Sequence, residues 1–276
     1  MRVKSDIPMR NGGWLHRVNG DIQPRRVFRP KERRLTDSEL SARFGPLARN
    51  WYVGKDTEIK QLAETLGVAA WALDALHVGF DGECYTFPEV NHHGQIVGIN
   101  RRFPDGMKRC CIGSRRGLTF TEDWADAPGP VLIVEGASDV AAGLTLGLCV
   151  IGRPSNTGGV EYLKRLLAKH LERRIVLIAE RDSKDPTTLN SRHDSACGCC
   201  GQCFPGKFGA VQTSIRLSLS LNHIAKWSRI VEWSFLPDGA KDLRQWLNGK
   251  NADVNNELAM RRLAGSLTRR IRHAIH

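Results

Sequence analysis

Residues 129–147 read GPVLIVEGASDVAAGLTLG, and the order of groups in this stretch decides the fold. Four apolar residues, Val131 to Val134, run directly into Glu135 and Gly136, and a second carboxylate follows at Asp139. A buried, unpaired carboxylate is costly, so a strand that reads as buried should not end in an acid without a reason. Downstream the same grammar repeats. "LCVIG" (148–152), "RIVLIAE" (174–180) and "RIVEWSFL" (229–236) are short apolar runs. Between them stand the helical patterns "SDVAAGLTLG", "GGVEYLKRLLAKHLE" and "GAVQTSIRLSLSL", and "PDGAKDLRQWL" follows the last run. Continuous apolar strands alternating with helices predict an α/β fold with a parallel sheet covered on both faces.

In open sheets of this class the working groups sit just beyond the carboxyl ends of the strands. Three strand ends here carry acids: Glu135 on the first, Glu180 and Asp182 on the third, and Asp242 after the fourth. Neighbouring strands are about 5 Å apart, so these carboxylates can meet in one small volume. Like charges so crowded raise one another's pKa unless a cation neutralises them. Hard Mg²⁺ takes carboxylates, water and substrate phosphates, and there it would polarise a phosphoryl oxygen. Taken singly, each acid could equally cap the following helix or pair with an arginine such as Arg181. Their recurrence at three strand ends of one sheet favours the metal site.

The bulk composition agrees with a phosphate-bearing partner. The 276 residues hold 41 Lys+Arg against 29 Asp+Glu, a formal net charge of +12, which points to a polyanion such as nucleic acid. The apolar fraction of 41% and charged fraction of 25% are ordinary for a globular protein with a real core. No apolar run approaches the roughly 18 residues of a membrane span, and the basic N-terminus lacks a signal-peptide core. A cytoplasmic protein with no membrane partner is expected.

The acid pattern resembles the Toprim domain, shared by bacterial-type primases, topoisomerases and several nucleases. That family places a Glu after its first strand, a Gly after the second and an Asp-x-Asp after the third. Glu135, Gly152 and Glu180-Arg181-Asp182 occupy those places, and Asp139 supplies the acid that often follows the Glu by four residues. Glu180 stands where Asp is usual; it keeps the charge and is one methylene longer. Lys241-Asp242 resembles the Lys-Asp pair that closes the primase version. The preceding segment, "YTFPEVNHHGQIVGINRRFPDGMKRCCIGSRRGLTF", is similar to the small basic β-unit that precedes Toprim in bacterial and phage primases. Gly98, Arg102, Lys108 and Gly113-Ser114 fill its motif positions. From Gly98 to Arg116 there are six basic residues, Arg101, Arg102, Lys108, Arg109, Arg115 and Arg116, and one acid, Asp105. Such a strip would line a path for template or nucleotide phosphates; a solvated strand face is the plainer alternative.

The resemblance implies the catalytic core of a DNA primase, with Glu135, Glu180, Asp182 and Asp242 catalytic and Glu135, Asp139, Glu180 and Asp182 holding Mg²⁺ or Mn²⁺. The six basic residues and Lys241 would bind single-stranded DNA and ribonucleoside triphosphates. A Toprim nuclease and a non-catalytic nucleic-acid-binding module are the alternatives. No Cys precedes Cys84 and no Gly-rich Walker motif is present. A replicative helicase or a separate zinc-binding module is therefore an expected partner.

Four of the eight cysteines fall in "CGCCGQC": Cys197, Cys199, Cys200 and Cys203. Two overlapping C-x-x-C spacings in a reducing compartment favour structural Zn²⁺, with His193 as an alternative ligand. An iron–sulfur site, reversible disulfides and no metal are the other readings. The expected organisation is a basic arm at 1–34, helical lead-in plus basic β subdomain at 35–128, and a Toprim-type (Rossmann-like) domain at 129–248. Within the last lies a Cys-rich insertion at 183–207, and a basic C-terminal helix occupies 249–276. In the lead-in, "DTEIKQLAETLGVAAWALDALHVGF" has a helix-turn-helix look at Ala63 and Gly67, with plain helix packing favoured. "LTDSELSARFGPLARNW" predicts a helix capped by Thr36 or Asp37.

Overall fold

The computed structural model describes residues 33–155, 158–170, 172–180, 216–220 and 231–274, and two short strands near the N-terminus. The chain divides into two units, Met1–Arg34 and Leu35–His276. In the first, β1 (Ile7–Pro8) pairs antiparallel with β2 (Trp14–Leu15). Apart from Arg33 and Arg34, the rest of the basic arm lies outside the described residues, as does the whole of the Cys-rich insertion at 183–207.

The second unit opens with α1 (Asp37–Tyr52), whose cap is Thr36. The Thr36 hydroxyl accepts from the Glu39 N–H at 3.2 Å, and the Glu39 carboxylate accepts from the Thr36 N–H at 2.8 Å, a capping box that satisfies two orphan donors. Leu40, Phe44 and Ala48, four residues apart, form the buried stripe of this helix. α2 (Asp56–Leu66) ends on Gly67 in the left-handed region, and α3 (Ala70–Asp74) follows. The corner is packed inward: the Ala69 N–H donates to Thr145 Oγ1 at 3.0 Å, and Asn248 Nδ2 donates to the Leu66 carbonyl at 3.0 Å. A five-residue α3 with Ala72 and Leu73 fully buried is a packing element, so the helix-turn-helix look has a structural cause.

An antiparallel sheet follows in the order β3 (Gly79–Phe80), β4 (Tyr85–Val90), β5 (Ile96–Arg102), β6 (Lys108–Cys110). The β4–β5 turn is tied by Asn91, whose Oδ1 accepts from the N–H groups of His93 at 2.9 Å and Gln95 at 3.1 Å. Pro88 is tolerated inside β4 because β3 reaches only as far as Tyr85 and Thr86. "KRCCIGS", which reads as one strand, is strand only to Cys110; Ser114 N–H turns back to the Cys111 carbonyl.

The second sheet is parallel, in the order β10 (Val231–Phe235), β9 (Ile175–Ala179), β7 (Val131–Glu135), β8 (Val150–Arg153). β7, β8 and β9 are buried on both faces, with side chains alternating between two clusters, while the edge strand β10 is only partly buried. Leu132, Val134, Val150, Val176 and Ile178 pack with α2, α3, α4 (Ala137–Thr145), α6 (Leu243–Asn248) and α7 (Glu257–Ala274). Val131, Ile133, Ile151, Ile175 and Leu177 pack with Leu163 and Leu167 of α5 (Val160–Leu167), and with Trp124 and Leu217. A strap, Arg115–Thr119, ties the two sheets together. Leu118 bridges to Val90 of β4, and Thr119 bridges to Gly152 of β8.

Candidate active site

β7 ends on Glu135, which lies in register with Arg153 at the end of β8. Gly136 then takes φ 84°, a left-handed turn that favours glycine, and α4 begins at Ala137. Gly152 has a different reason to lack a side chain. A Cβ there would lie 2.6 Å from Val140 of α4 and 3.2 Å from Thr119 of the strap, so helix and strap close over β8 only at a glycine. β9, which neighbours β7, ends at Ala179, and Glu180 is the next residue. Asp182, His193, Cys197, Cys199, Cys200 and Cys203 lie outside the described residues.

Facing these acids is the antiparallel sheet, and its two-residue period decides which basic side chains arrive. Arg102 pairs with Lys108 and Asn100 with Cys110, so these four share one face. They line a cleft of about 360 Å³ together with Glu89, Arg116, Glu135, Asp139, Arg153, Glu180, Lys241, Asp242 and Arg244. Arg101 and Arg109 are the intervening pair and lie outside the cleft lining. Arg101 is committed to Asp81 at 2.7 Å and Glu83 at 3.2 Å, with its guanidinium 5.0 Å from the Phe103 ring centre. Arg109 is exposed. Arg115 is turned away as well, pairing with Asp37 and the Leu35 carbonyl beside Tyr162, whose hydroxyl donates to Asp37 at 3.0 Å. Of the seven basic residues predicted for phosphate binding, the cleft therefore collects Arg102, Lys108, Arg116 and Lys241.

Two of the acids have a second task. Asp242 is the N-cap of α6, its Oδ1 accepting from the Gln245 N–H at 2.8 Å. Asp139 Oδ1 accepts from the next donor of the same turn, the Arg244 N–H, at 3.0 Å. Two of the orphan donors at the start of this short helix are thereby satisfied, and the helix start holds Lys241 and Arg244 at the cleft wall. Burial, and then the Asp242 charge beside it, push the Asp139 carboxyl up to about 8. Arg244 and Lys108 act in the opposite sense without cancelling that rise, and a divalent cation in the cleft would bring the carboxyl down again.

The cations feel one another too. Burial, and then the neighbouring Arg102, hold the Lys108 ammonium below its ordinary value, while Asp139 and Glu180 act in the opposite sense. Burial and then Arg244 do the same to Arg102. Arg153, 1% exposed, is lowered by burial and supported by Glu135 and Glu180. Crowded, desolvated cations of this kind are relieved by an anion entering the cleft.

Among the described residues no three His, Cys, Asp or Glu side chains close on one point. The carboxylates present still fit a hard divalent ion. Mg²⁺ characteristically uses one or two protein carboxylates and completes its shell with water and substrate phosphates, and Glu135 and Glu180 offer those oxygens from neighbouring strand ends. Glu89, Arg153 and Arg244 are cleft residues that the sequence reading missed. Glu89 had a signal in principle: it stands two residues after Phe87 on β4, on the face shared with Asn100 and Cys110.

Among the solved structures with this fold is the DnaG catalytic core, with TM-score 0.52 and 16% identity over 82% of this chain and 79% of that one. The DnaG primase catalytic domain bound to ssDNA gives TM-score 0.54 at 14% identity, over 80% of this chain and 76% of that one. The Aquifex aeolicus primase fragment with zinc-binding and RNA polymerase domains gives 0.52 at 10% identity, over 84% of this chain and 62% of that one. No family model and no curated protein sequence matches the chain. At these identities the likeness is one of fold. The chain has the α/β architecture of primase catalytic cores, with the Toprim-type parallel sheet.

Proposed function

We propose that a chain with the primase-core fold and this cleft is a primase-type nucleotidyltransferase, making short RNA on single-stranded DNA. The observation that carries the proposal is the meeting, in one cleft, of two independent sets of groups. Glu135 and Glu180 come from the parallel sheet, and Arg102 and Lys108 from the antiparallel one. Carboxylates alone suit a metal site of many kinds, and a basic strip alone suits any polyanion. Together they suit a metal-bound triphosphate beside a nucleic-acid strand.

In the reaction a ribose 3′-hydroxyl attacks the α-phosphorus of a ribonucleoside triphosphate, and pyrophosphate leaves. Mg²⁺ or Mn²⁺ would be held by Glu135 and Glu180, with Asp182 as the further candidate, and would supply charge stabilisation at the phosphoryl oxygens. Arg102, Lys108 and Lys241 neutralise and orient the phosphates, which is most of what phosphoryl transfer asks of a protein. Asp242 acts through the α6 start that carries Lys241. Arg109, exposed on β6 with its side chain outside the cleft lining, is available to a template strand. The arginine-rich arm and Cys-rich segment, with its proposed structural Zn²⁺, would extend the nucleic-acid contact. A replicative helicase or a separate zinc-binding module remains the expected partner. No described helix is long and apolar enough to cross a membrane.

Reaction class is tested by incubating the protein with end-labelled single-stranded DNA, labelled ribonucleotides and Mg²⁺ or Mn²⁺. The proposal expects metal-dependent short oligoribonucleotides and an intact template. Metal-dependent shortening of the template would make the cleft a nuclease site, and binding of the strand without either product would make the chain a non-catalytic module.

A further inference from the structure

We infer that Glu89 is a positioning residue for Arg116 and, through it, for the phosphates taken by the cleft; this rests on the function proposed above. Glu89 is 5% exposed, on β4. Its two carboxylate oxygens accept from Arg116 Nε at 3.0 and 2.9 Å, and Oε2 also accepts from the Gly117 N–H at 2.9 Å. Arg116 reaches the other sheet at the same time: its Nη2 donates to the carbonyl of Pro154, the residue after β8, at 2.9 Å. The guanidinium is thus anchored at one point on each wall of the cleft.

A merely structural role does not account for this arrangement. The strap is already closed by backbone bonds, Val90 to Leu118 at 2.7 Å in both directions and Thr119 to Gly152 at 3.0 and 2.7 Å. The pair is buried on the Glu89 side only, since 45% of the Arg116 side chain is exposed, and a solvent-screened pair of this kind contributes little net stability. What it adds is position. An unrestrained arginine side chain gives up much rotamer freedom on gripping a ligand, and two anchors remove that freedom in advance.

Glu89 and Arg116 both line the cleft, and Arg116 also feels the charge of Glu135. Among the described residues its side-chain hydrogen bonds use Nε and Nη2, which leaves Nη1 to face a ligand. A planar guanidinium held this way is built for phosphate oxygens. Those oxygens could belong to a triphosphate tail or to a template phosphodiester.

A double-mutant cycle separates positioning from support. Affinity for ATP with Mg²⁺, and separately for a labelled single-stranded oligodeoxynucleotide, would be measured for wild type, Glu89→Gln, Arg116→Met and the double variant. A thermal melt of each variant checks the fold. Glu89→Gln should weaken one of the two probes by about tenfold, the scale of one charge-assisted contact. The probe affected identifies the source of the phosphate. In the Arg116→Met background, Glu89→Gln should have no further effect. Equal losses in both backgrounds, or no loss at all, would overturn the inference while leaving the proposed function standing. A wild type that binds neither probe would remove that function and the inference with it. If Glu89→Gln fails to fold, Glu89→Asp keeps the charge but draws the carboxylate back from Arg116 Nε by one methylene; it should weaken the same probe, with no further effect in the Arg116→Met background.

Discussion

Asp139 and Asp242 show how one acid can serve structure and site together. Each accepts from a backbone N–H in the first turn of α6, at 3.0 and 2.8 Å, and each lines the cleft. Helix capping and a place in the cleft were alternative meanings for such acids, and here the two coincide. The electrostatic consequence is testable. Asp139 has an ordinary value of 3.8 that burial and Asp242 push up to about 8 in the folded protein. The folded state therefore binds this proton more tightly than the unfolded chain does. Its stabilising contribution is complete below pH 3.8 and is lost as pH rises towards about 8. Asparagine cannot ionise. In metal-free protein, denaturant titrations should show the stability difference between Asp139→Asn and wild type moving in favour of the variant from pH 4 to pH 8. A difference that stays flat over that window would mean Asp139 is already ionised and satisfied.

The elements divide into those the sequence announces and those it hides. β7 and β9 were legible because each is a continuous apolar run, and Glu135 and Glu180 were legible because they end such runs. The capping box on α1 could be read directly from Thr36 and Glu39. The sorting of the basic strip was harder. Arg101 and Arg102 are neighbours in sequence, yet only Arg102 faces the cleft, because strand alternation sends Arg101 to Asp81 and Glu83. Arg115 and Arg116 part in the same way: one pairs with Asp37 on α1, the other with Glu89 on β4. Those partners are 78 and 27 residues away along the chain, beyond any local pattern. Gly152 belongs to this scale too, as the point where β8, α4 and the strap meet. Gly152→Ala sets a methyl 2.6 Å from Val140, an overpacking that should cost about 1–3 kcal/mol in urea unfolding. An unchanged midpoint would show that α4 can retreat freely.

At the scale of the whole molecule, two sheets of different kinds are tied by the strap Arg115–Thr119, and the cleft lies where they face. The antiparallel sheet brings Arg102 and Lys108, the parallel sheet brings Glu135 and Glu180 at its strand ends, and neither half contains the complete set. The net charge of +12 fits a polyanionic partner drawn to that junction. The central claim is that RNA synthesis happens at the carboxyl edge of β7. It is tested most directly by primer synthesis with wild type and Glu135→Gln, compared at saturating template and nucleotide. Glutamine keeps the shape of Glu135 and removes its charge, so the account predicts a fall of about a thousandfold or more with the fold and single-strand binding intact. Synthesis by Glu135→Gln at the wild-type rate would contradict it.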